Sequence, residues 1–157
     1  MSVATEASQV TAGTLFARDL GNEQADEANP DFLEETAKQL AATSPHFHLR
    51  VLKGDELKEL GMNMLIAVGQ ASRWEPRLIL LEYRPLEAKE MPTVLLGKGI
   101  TFDTGGLNLK PTNSIEEMHM DMCGTAAVLG AAKAVASMNM QQNVGKQLSS
   151  ALSLSPY

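Results

Sequence analysis

The middle of the chain carries two apolar runs of strand length, and a long alanine-rich stretch follows them. Residues 77–83 and 93–96 are rich in Leu, Ile and Val, and the second run contains no charge. Uncharged strands of this kind are typical of central positions in a sheet that is covered on both faces. Residues 118–138 are rich in Ala and include Gly124 and Gly130, which favours a long helix with a small-residue face. Strands that alternate with helices predict an α/β fold with a mostly parallel or mixed sheet flanked by helices.

Shorter elements are predicted before and between these runs. A proline in the first turn, followed by acidic residues, predicts a helix over residues 31–43. Residues 46–52 alternate between polar and apolar, which indicates a half-exposed strand. Residues 55–60 favour a short helix that ends at Gly61, and residues 85–92 favour a charged, solvated loop.

The two ends of the sequence are less regular. The small polar residues at the start indicate that residues 1–16 form a flexible lead-in. Residues 114–117 have a Ser followed three residues later by Glu, the capping-box pattern, which predicts that the long helix starts there. Residues 146–157 scatter five apolar residues among serines and other polar groups, so we expect this atypical tail not to pair into the sheet. The layered α/β domain is therefore expected over residues 17–145. Its set of layers is expected to be incomplete.

Composition excludes several classes of function. With 157 residues, of which 44% are hydrophobic and 20% charged, the chain has the makeup of one soluble globular domain. The net charge is −6 and no basic run occurs, so a nucleic-acid partner is not expected. The sequence contains no apolar stretch of about 18 residues, so a membrane span is not predicted. Residues 1–20 lack the features of a secretory signal. We therefore expect a cytoplasmic location, and the lone Cys123 suits a reducing compartment.

The segment 96–111 has the residue types of a binding site. Lys98 follows an apolar strand, whose end is where α/β proteins place ligands. The flanking Gly97 and Gly99 let the backbone approach a ligand closely. A phosphate-binding P-loop is excluded, because Gly97 and Lys98 are followed by Gly99 and Pro92 stands where the first glycine is required.

Two aspartates and two lysines in this region suggest either a metal site or an anion site. Asp103 and Asp121 offer hard oxygen ligands in an otherwise apolar setting. Lys98 and Lys110 can neutralise these carboxylates or take part in binding the ligand themselves. Ordinary roles also remain open, since a loop aspartate often serves a turn or a helix cap and Lys98 can be an exposed charge at a strand end.

Residues 94–124 are similar to the core of the dimetal leucyl aminopeptidases. The chain has V-L-L-G-K-G-I-T-F-D-T-G-G-L-N-L-K at residues 94–110 and D-M-C-G at residues 121–124, with the spacing of the family pattern. Residues 17–33, with R-D-L-G-N and then N-P-D-F-L, resemble the family's entry helix. The resemblance extends over about residues 17–144 and implies an incomplete three-layer catalytic domain.

The resemblance implies a role for each candidate residue. Lys98 matches a lysine ligand of one metal, Asp103 a carboxylate that bridges two metals, and Asp121 a second carboxylate on the lysine-bound metal. Lys110 matches the catalytic lysine that binds the substrate and stabilises charge on the scissile carbonyl oxygen. Met118 matches a residue of the pocket for the substrate's first side chain, although core packing remains an equal alternative. A lysine binds metal only as a neutral amine, which burial and a nearby cation both favour.

The family's next motif, N-T-D-A-E-G-R, does not occur in this sequence. Its Asp and Glu complete the metal site, and its Arg positions a bicarbonate that is thought to act as general base. Three of five expected metal ligands are therefore present, and we expect a truncated piece with little or no activity of its own. Its parent enzyme is expected to remove leucine-like residues from the amino termini of peptides with two Zn or Mn ions, as a homohexamer without membrane partners.

Two other functions stay open at this stage. The chain can be a non-catalytic fragment that joins or blocks an assembly of its parent enzyme. It can also be a remnant that binds a single metal at Lys98, Asp103 and Asp121, because three protein ligands and a water hold catalytic zinc in other folds.

Overall fold

A computed structural model describes residues 2–85, 93–140 and 148–152. Within these ranges the chain forms six α-helices, one short 3-10 helix and four strands. In chain order they are α1 (Val3–Gly21), α2 (Pro30–Ala41), β1 (Phe47–Lys53), α3 (Gly54–Glu59), α4 (Asn63–Gly69), β2 (Arg77–Tyr83), β3 (Leu95–Lys98), α5 (Thr112–Ile115), the 3-10 helix (Glu116–Met120), α6 (Cys123–Ser137) and β4 (Leu148–Leu152). Among the residues described, none of the helices combines the length and apolarity that crossing a membrane requires.

The strands form one mixed sheet in the order β1-β2-β4-β3. β1 is antiparallel to β2 and β2 is antiparallel to β4, whereas β3 and β4 run parallel. Parallel neighbours need a crossover connection, and α6 lies between these two strands in the chain. The helices and the mixed sheet confirm the predicted α/β fold.

β2 is covered by helices on both of its faces. Ile79 and Leu81 belong to a large core cluster that includes residues of α1, α2 and α6. Leu78 belongs to a smaller cluster with Leu52 of β1 and Leu57 of α3. Because successive side chains of a strand point to opposite faces, the two clusters lie on opposite sides of the sheet. The sheet is therefore the middle of three layers.

The predictions for the shorter elements hold, with ends that differ by one or two residues. α2 begins at Pro30, and the Asn29 side chain caps it by accepting the backbone N–H of Phe32 at 3.0 Å. β1, α3 and β2 occupy the predicted positions. Gly61 follows α3 with a φ of +69°, the left-handed conformation that favours glycine after a helix.

A long helix occupies the segment that was expected to be a flexible lead-in, so that expectation is wrong. The hydroxyl of Ser2 caps α1 by accepting the backbone N–H of Thr5 at 3.3 Å. Gly13 lies directly against α6, where a Cβ on Gly13 would be 2.5 Å from the carbonyl oxygen of Gly130. The small residues that suggested a loose segment instead allow two helices to pack closely.

The long helix starts later than the capping-box pattern predicted. α5 begins directly after Pro111, whose fixed φ suits the start of a helix. Ser114 therefore lies inside α5 and cannot cap a helix there. The 3-10 helix and Asp121 then separate α5 from α6, which begins at Cys123.

β3 lies at the edge of the described sheet, so the prediction of a central strand covered on both faces is wrong. Leu96 is 72% exposed and Val94 is 53% exposed. A groove of about 460 Å³, lined by Met64, Val68 and Leu96 among others, separates β3 from α4. The described helices on this face cover β1 and β2 but do not extend over β3.

β4 lies between β2 and β3, so the prediction that the tail does not pair into the sheet is wrong for residues 148–152. Its neighbours satisfy its backbone groups on both sides, and strand preference depends strongly on such context. The folded unit thus includes α1 and β4 and exceeds the predicted range of 17–145. The other residues of the predicted tail, and those at 86–92 in the predicted loop, lie outside the described residues.

A network of ion pairs around the buried Glu34 and Arg77 joins α2 to β1 and β2. The Arg77 side chain is 3% exposed; it contacts Glu34, and its Nη2 lies 2.6 Å from Asp31 Oδ1. Lys53 Nζ lies 2.6 Å from Glu34 Oε2, and Lys38 Nζ lies 2.9 Å from Glu34 Oε1. Because a buried charge without a partner is costly, this network fixes the position of α2 on the sheet.

Candidate metal and catalytic site

Lys98 and Asp121 form an ion pair where β3 ends and α6 begins. Lys98 is the last residue of β3, and Asp121 lies between the 3-10 helix and α6. Lys98 Nζ contacts Asp121 Oδ2, and the two side chains are 55% and 25% exposed. The backbone N–H of Asp121 donates to the Met118 carbonyl at 3.2 Å, which fixes the turn that presents the carboxylate.

Two glycines allow β3 and α6 to approach each other at this ion pair. A Cβ on Gly97 would lie 2.6 Å from the carbonyl oxygen of Gly124, and a Cβ on Gly124 would lie 2.7 Å from the backbone nitrogen of Lys98. The hydroxyl of Thr125 donates to the Gly97 carbonyl at 3.3 Å. Sequence reasoning identified neither this contact nor Thr125, although a glycine in each of two apolar elements was an available signal for close packing.

Asp103 and Lys110 form a second ion pair within one loop. Lys110 Nζ contacts Asp103 Oδ2 and also donates to the Asp103 carbonyl at 3.1 Å. Gly105 donates its backbone N–H to Asp103 Oδ1 at 2.6 Å. Gly105 and Gly106 have φ values of +92° and +71°, a conformation that L side chains rarely adopt, so the loop requires glycine at both positions.

The charges around Asp103 connect the two ion pairs. The hydrogen-bonded ammonium of Lys110 lowers the pKa of Asp103, while burial acts in the opposite direction. The N–H of Gly105 and the positive charge of Lys98 lower this pKa further. Lys98 therefore acts electrostatically on Asp103 as well as pairing with Asp121.

The structure thus brings the four predicted polar residues together as two neighbouring ion pairs. Met118, the fifth candidate, lies half-buried in the 3-10 helix immediately before Asp121. Its contact with the site is through its backbone carbonyl. The metal-binding, catalytic and pocket-lining roles of these residues stay predictions.

The donor set of the site suits a divalent cation. Asp103 and Asp121 supply carboxylate oxygens, and each carboxylate faces an ammonium group at the position where a metal cation would also be attracted. In the part of the chain that the structure describes, no group of three or more His, Cys, Asp and Glu side chains is placed to bind a metal. The amine of Lys98, a donor of another residue type, is adjacent to Asp121.

Comparison with known proteins covers most of the chain. A sequence model of the cytosol aminopeptidase family, catalytic domain, matches residues 15–151. The match continues into β4, beyond the limit of about residue 144 that the motifs alone indicated. A probable cytosol aminopeptidase of Alkalilimnicola ehrlichii is 46% identical over 135 residues, which are 86% of this chain and 27% of that relative.

Two further relatives give the same result. A probable cytosol aminopeptidase of a Geobacter species is 45% identical over 139 residues, and the cytosol aminopeptidase of Pseudomonas aeruginosa is 44% identical over 139 residues. In both comparisons the aligned part is 88% of this chain and 28% of the relative. The chain therefore spans little more than a quarter of the length of these relatives. A family match over most of its residues, with a mixed α/β fold, shows that the chain belongs to the cytosol aminopeptidase family.

Proposed function

We propose that this chain contributes part of the two-metal centre of an aminopeptidase that removes leucine-like residues from the amino termini of peptides. The observation that carries the proposal is the meeting of Lys98, Asp103, Lys110 and Asp121 in two neighbouring ion pairs. The names of the relatives, which are cytosol aminopeptidases, support peptide hydrolysis in the cytoplasm.

Lys98, Asp103 and Asp121 are the residues that would hold a divalent ion, either Zn or Mn. A metal bound there would supply Lewis-acid polarisation of the scissile carbonyl and activation of a water at neutral pH. Asp103 would contribute to holding a second ion as well, and ligands beyond these three residues would be needed for that ion. We therefore propose that the 157-residue chain alone holds at most one ion.

Lys110 is the proposed catalytic residue. Its side chain is 26% exposed beside Asp103. In the proposed reaction Lys110 remains protonated and donates a hydrogen bond to that oxygen as negative charge develops on it. Removing one such donor from an enzyme typically lowers kcat by about 10²–10³-fold.

The remaining features of the proposal rest on the family resemblance. Met118 is proposed to line the pocket for the first side chain of the peptide, and its half-buried position next to Asp121 is compatible with that role. The whole protein is proposed to assemble as a homohexamer and to act on peptides, without nucleic-acid or membrane partners.

Metal titration of the 157-residue chain tests the proposal. Calorimetry with Zn²⁺ or Mn²⁺ is expected to give one binding site. Asp103→Asn and Asp121→Asn are each expected to weaken binding by about tenfold or more, because each removes a charged oxygen donor. Asp55→Asn is the matched control, since Asp55 also pairs with a lysine, Lys58 Nζ at 2.8 Å, but lies on α3.

The stoichiometry and the variants also separate the alternatives. Unchanged affinity in both aspartate variants would contradict a metal site at these residues. Complete absence of metal binding, together with association of the chain with a full-length relative, would instead favour a non-catalytic assembly fragment. The chain can also bind one ion with full affinity and yet show no activity when the remaining part of a relative is added. That result would favour a remnant that binds a single metal.

A further inference from the structure

A cavity of about 430 Å³ lies next to the loop that carries Asp103. Its lining includes Phe102 and Thr104, which flank Asp103, together with Trp74 from the segment before β2 and Asp26 from the segment after α1. Its volume falls within the range of about 300–1,000 Å³ that is typical of ligand sites. We call this cavity the Trp74 cleft, and none of its lining residues has a role in the site proposed above.

Two aromatic rings provide the apolar surface of the Trp74 cleft. Trp74 and Phe102 are both half-buried, so each ring keeps an exposed part. The guanidinium of Arg73 lies over the indole, 3.9 Å from the ring centroid, and stabilises the position of the ring. The aliphatic stem of a ligand can therefore pack against aromatic surface that is already held in place.

The polar groups of the cleft favour a ligand that donates hydrogen bonds. Nδ1 of His119 lies 3.2 Å from the Glu116 carbonyl oxygen. Because a carbonyl only accepts, Nδ1 is the donor in this contact. Asp26 adds a carboxylate, which accepts hydrogen bonds and carries negative charge. No lysine or arginine is among the described residues that line the cleft, but the Arg73 guanidinium lies beside it, over the Trp74 ring.

We propose that the Trp74 cleft binds a cationic side chain of a peptide, that of an arginine or a lysine. The alkyl stem packs on Trp74 and Phe102, and the charged end faces the Asp26 carboxylate. An acidic side chain is less favoured, because it would meet the like charge of Asp26. The proposal rests on the proposed function in one respect: the peptide reaches the cleft because it is presented to the adjoining Asp103 loop.

Fluorescence titration tests this inference directly, because Trp74 is the one tryptophan of the chain. The 157-residue chain is titrated, without metal, with leucyl-arginyl-glycine amide, with leucyl-glutamyl-glycine amide and with free arginine amide. We expect a saturable change in fluorescence, at least tenfold tighter for the basic peptide than for the acidic one. Tighter binding of the basic peptide than of free arginine amide supports a peptide as the source of the cation, and equal binding of the two overturns that assignment.

Substitutions locate the binding site. Asp26→Asn is expected to remove most of the preference for the basic peptide, and Phe102→Ala is expected to weaken both peptides alike. The control Asp55→Asn removes a carboxylate outside the cleft and is expected to change nothing. Equal binding of acidic and basic peptides, equal effects of Asp26→Asn and Asp55→Asn, or no saturable change would overturn the inference. Because the measurement needs neither metal nor turnover, its failure leaves the proposed function standing, and failed catalysis leaves this binding site standing.

Discussion

Glu34 keeps its charge in a place that is almost closed to water, with a side chain that is 9% exposed. Burial alone would raise its pKa, but hydrogen bonds from Lys38 and Lys53 and the charge of Arg77 lower the pKa from 4.5 to about 2. The folded protein therefore holds this proton less tightly than the unfolded chain does. It follows that the ionised carboxylate stabilises the fold above pH 4.5, and that this stabilisation is lost as the pH falls towards about 2.

Glu34→Gln is expected to lower the free energy of unfolding at pH 7 by about 3 kcal/mol, the equivalent of the pKa shift. Urea unfolding at several pH values measures this, and the difference from the unmodified chain should shrink between pH 4.5 and about 2. The control is Glu35→Gln, because the Glu35 carboxylate is 59% exposed and lies 4.0 Å from Lys38. Such a pair contributes about 0–1 kcal/mol, so similar losses in the two variants would contradict the prediction.

Tyr83 presents the opposite case, a buried polar group without a hydrogen-bond partner among the described residues. Its hydroxyl makes no hydrogen bond within the described residues, and burial raises the pKa of the phenol. The rings of His46 and Phe47 pack edge-on against it, with centroids 5.8 and 5.3 Å away. Tyr83→Phe keeps this packing and removes the unsatisfied group, so we expect an unchanged or higher melting temperature.

Thermal unfolding of Tyr83→Phe and Tyr83→Ala checks this interpretation. The alanine variant loses the ring and is expected to cost about 3–5 kcal/mol, as large aromatic truncations in cores do. If Tyr83→Phe also lowers the melting temperature by several degrees, the hydroxyl must have a partner outside the described residues.

Between elements, the contact of α1 with α6 depends on glycine. A Cβ on Gly130 would lie 2.5 Å from the Gly13 carbonyl oxygen and 2.9 Å from the Cβ of Ala17. Gly130→Ala improves helix propensity by about 1 kcal/mol, yet we expect it to destabilise the protein because the two helices must move apart. The sign of the change in unfolding free energy is therefore diagnostic. Ala127→Gly at an exposed position of α6 is the control, where the propensity cost alone is expected.

The same contact explains why α1 was not predicted from the sequence. A helix that packs through Gly13 has no stripe of large apolar residues, so its periodicity is weak. β2 is the opposite example, since Ile79 and Leu81 face one cluster and Leu78 the other, and a strand buried on both faces reads as a continuous apolar run. β4 was missed for a further reason, because its place in the sheet is determined by the unpaired edges of β2 and β3 and not by its own composition.

The candidate site was more predictable than the elements that carry it. Lys98, Asp103, Lys110 and Asp121 were identified from a local motif, and in the structure they form two ion pairs, while their roles stay predictions. The Trp74 cleft was not predicted, because its walls come from three distant parts of the chain that only the fold brings together. A sequence motif identifies residues that lie close together in the chain. A cavity formed by distant segments has no local sequence pattern.

At the scale of the whole molecule, the chain aligns over 86% to 90% of its own length but only 27% to 28% of the length of its relatives. The candidate site nevertheless forms within residues 98–121, which lie entirely inside the described part of the chain. Its two ion pairs therefore need no residue from elsewhere. We then expect the chain alone to bind a metal without efficient turnover, because one cation requires few donors while a two-metal centre requires more.

The 157-residue chain is accordingly expected to hydrolyse a chromogenic leucyl amide far more slowly than the cytosol aminopeptidase of Pseudomonas aeruginosa. In the proposed two-metal scheme Lys98, Asp103 and Asp121 serve one ion, so the donors of a second ion, and with them much of the activation of water, would have to come from other residues. A chimera in which residues 15–151 replace the corresponding stretch of that relative keeps the other parts of the relative and should be active. The assay is leucine release with added Mn²⁺ or Zn²⁺.

Lys110→Ala in this chimera is expected to lower kcat by at least about 100-fold, because the donor to the developing oxyanion is removed. Lys133→Ala is the control, since Lys133 lies on α6 with its Nζ 4.5 Å from the centroid of the Phe16 ring, at the contact with α1. A chimera that folds and binds metal but releases no leucine would contradict the proposed role of these residues. Full activity of the isolated chain that disappears in Lys110→Ala would show instead that three protein ligands are sufficient, whereas activity that survives this substitution would come from a contaminating peptidase.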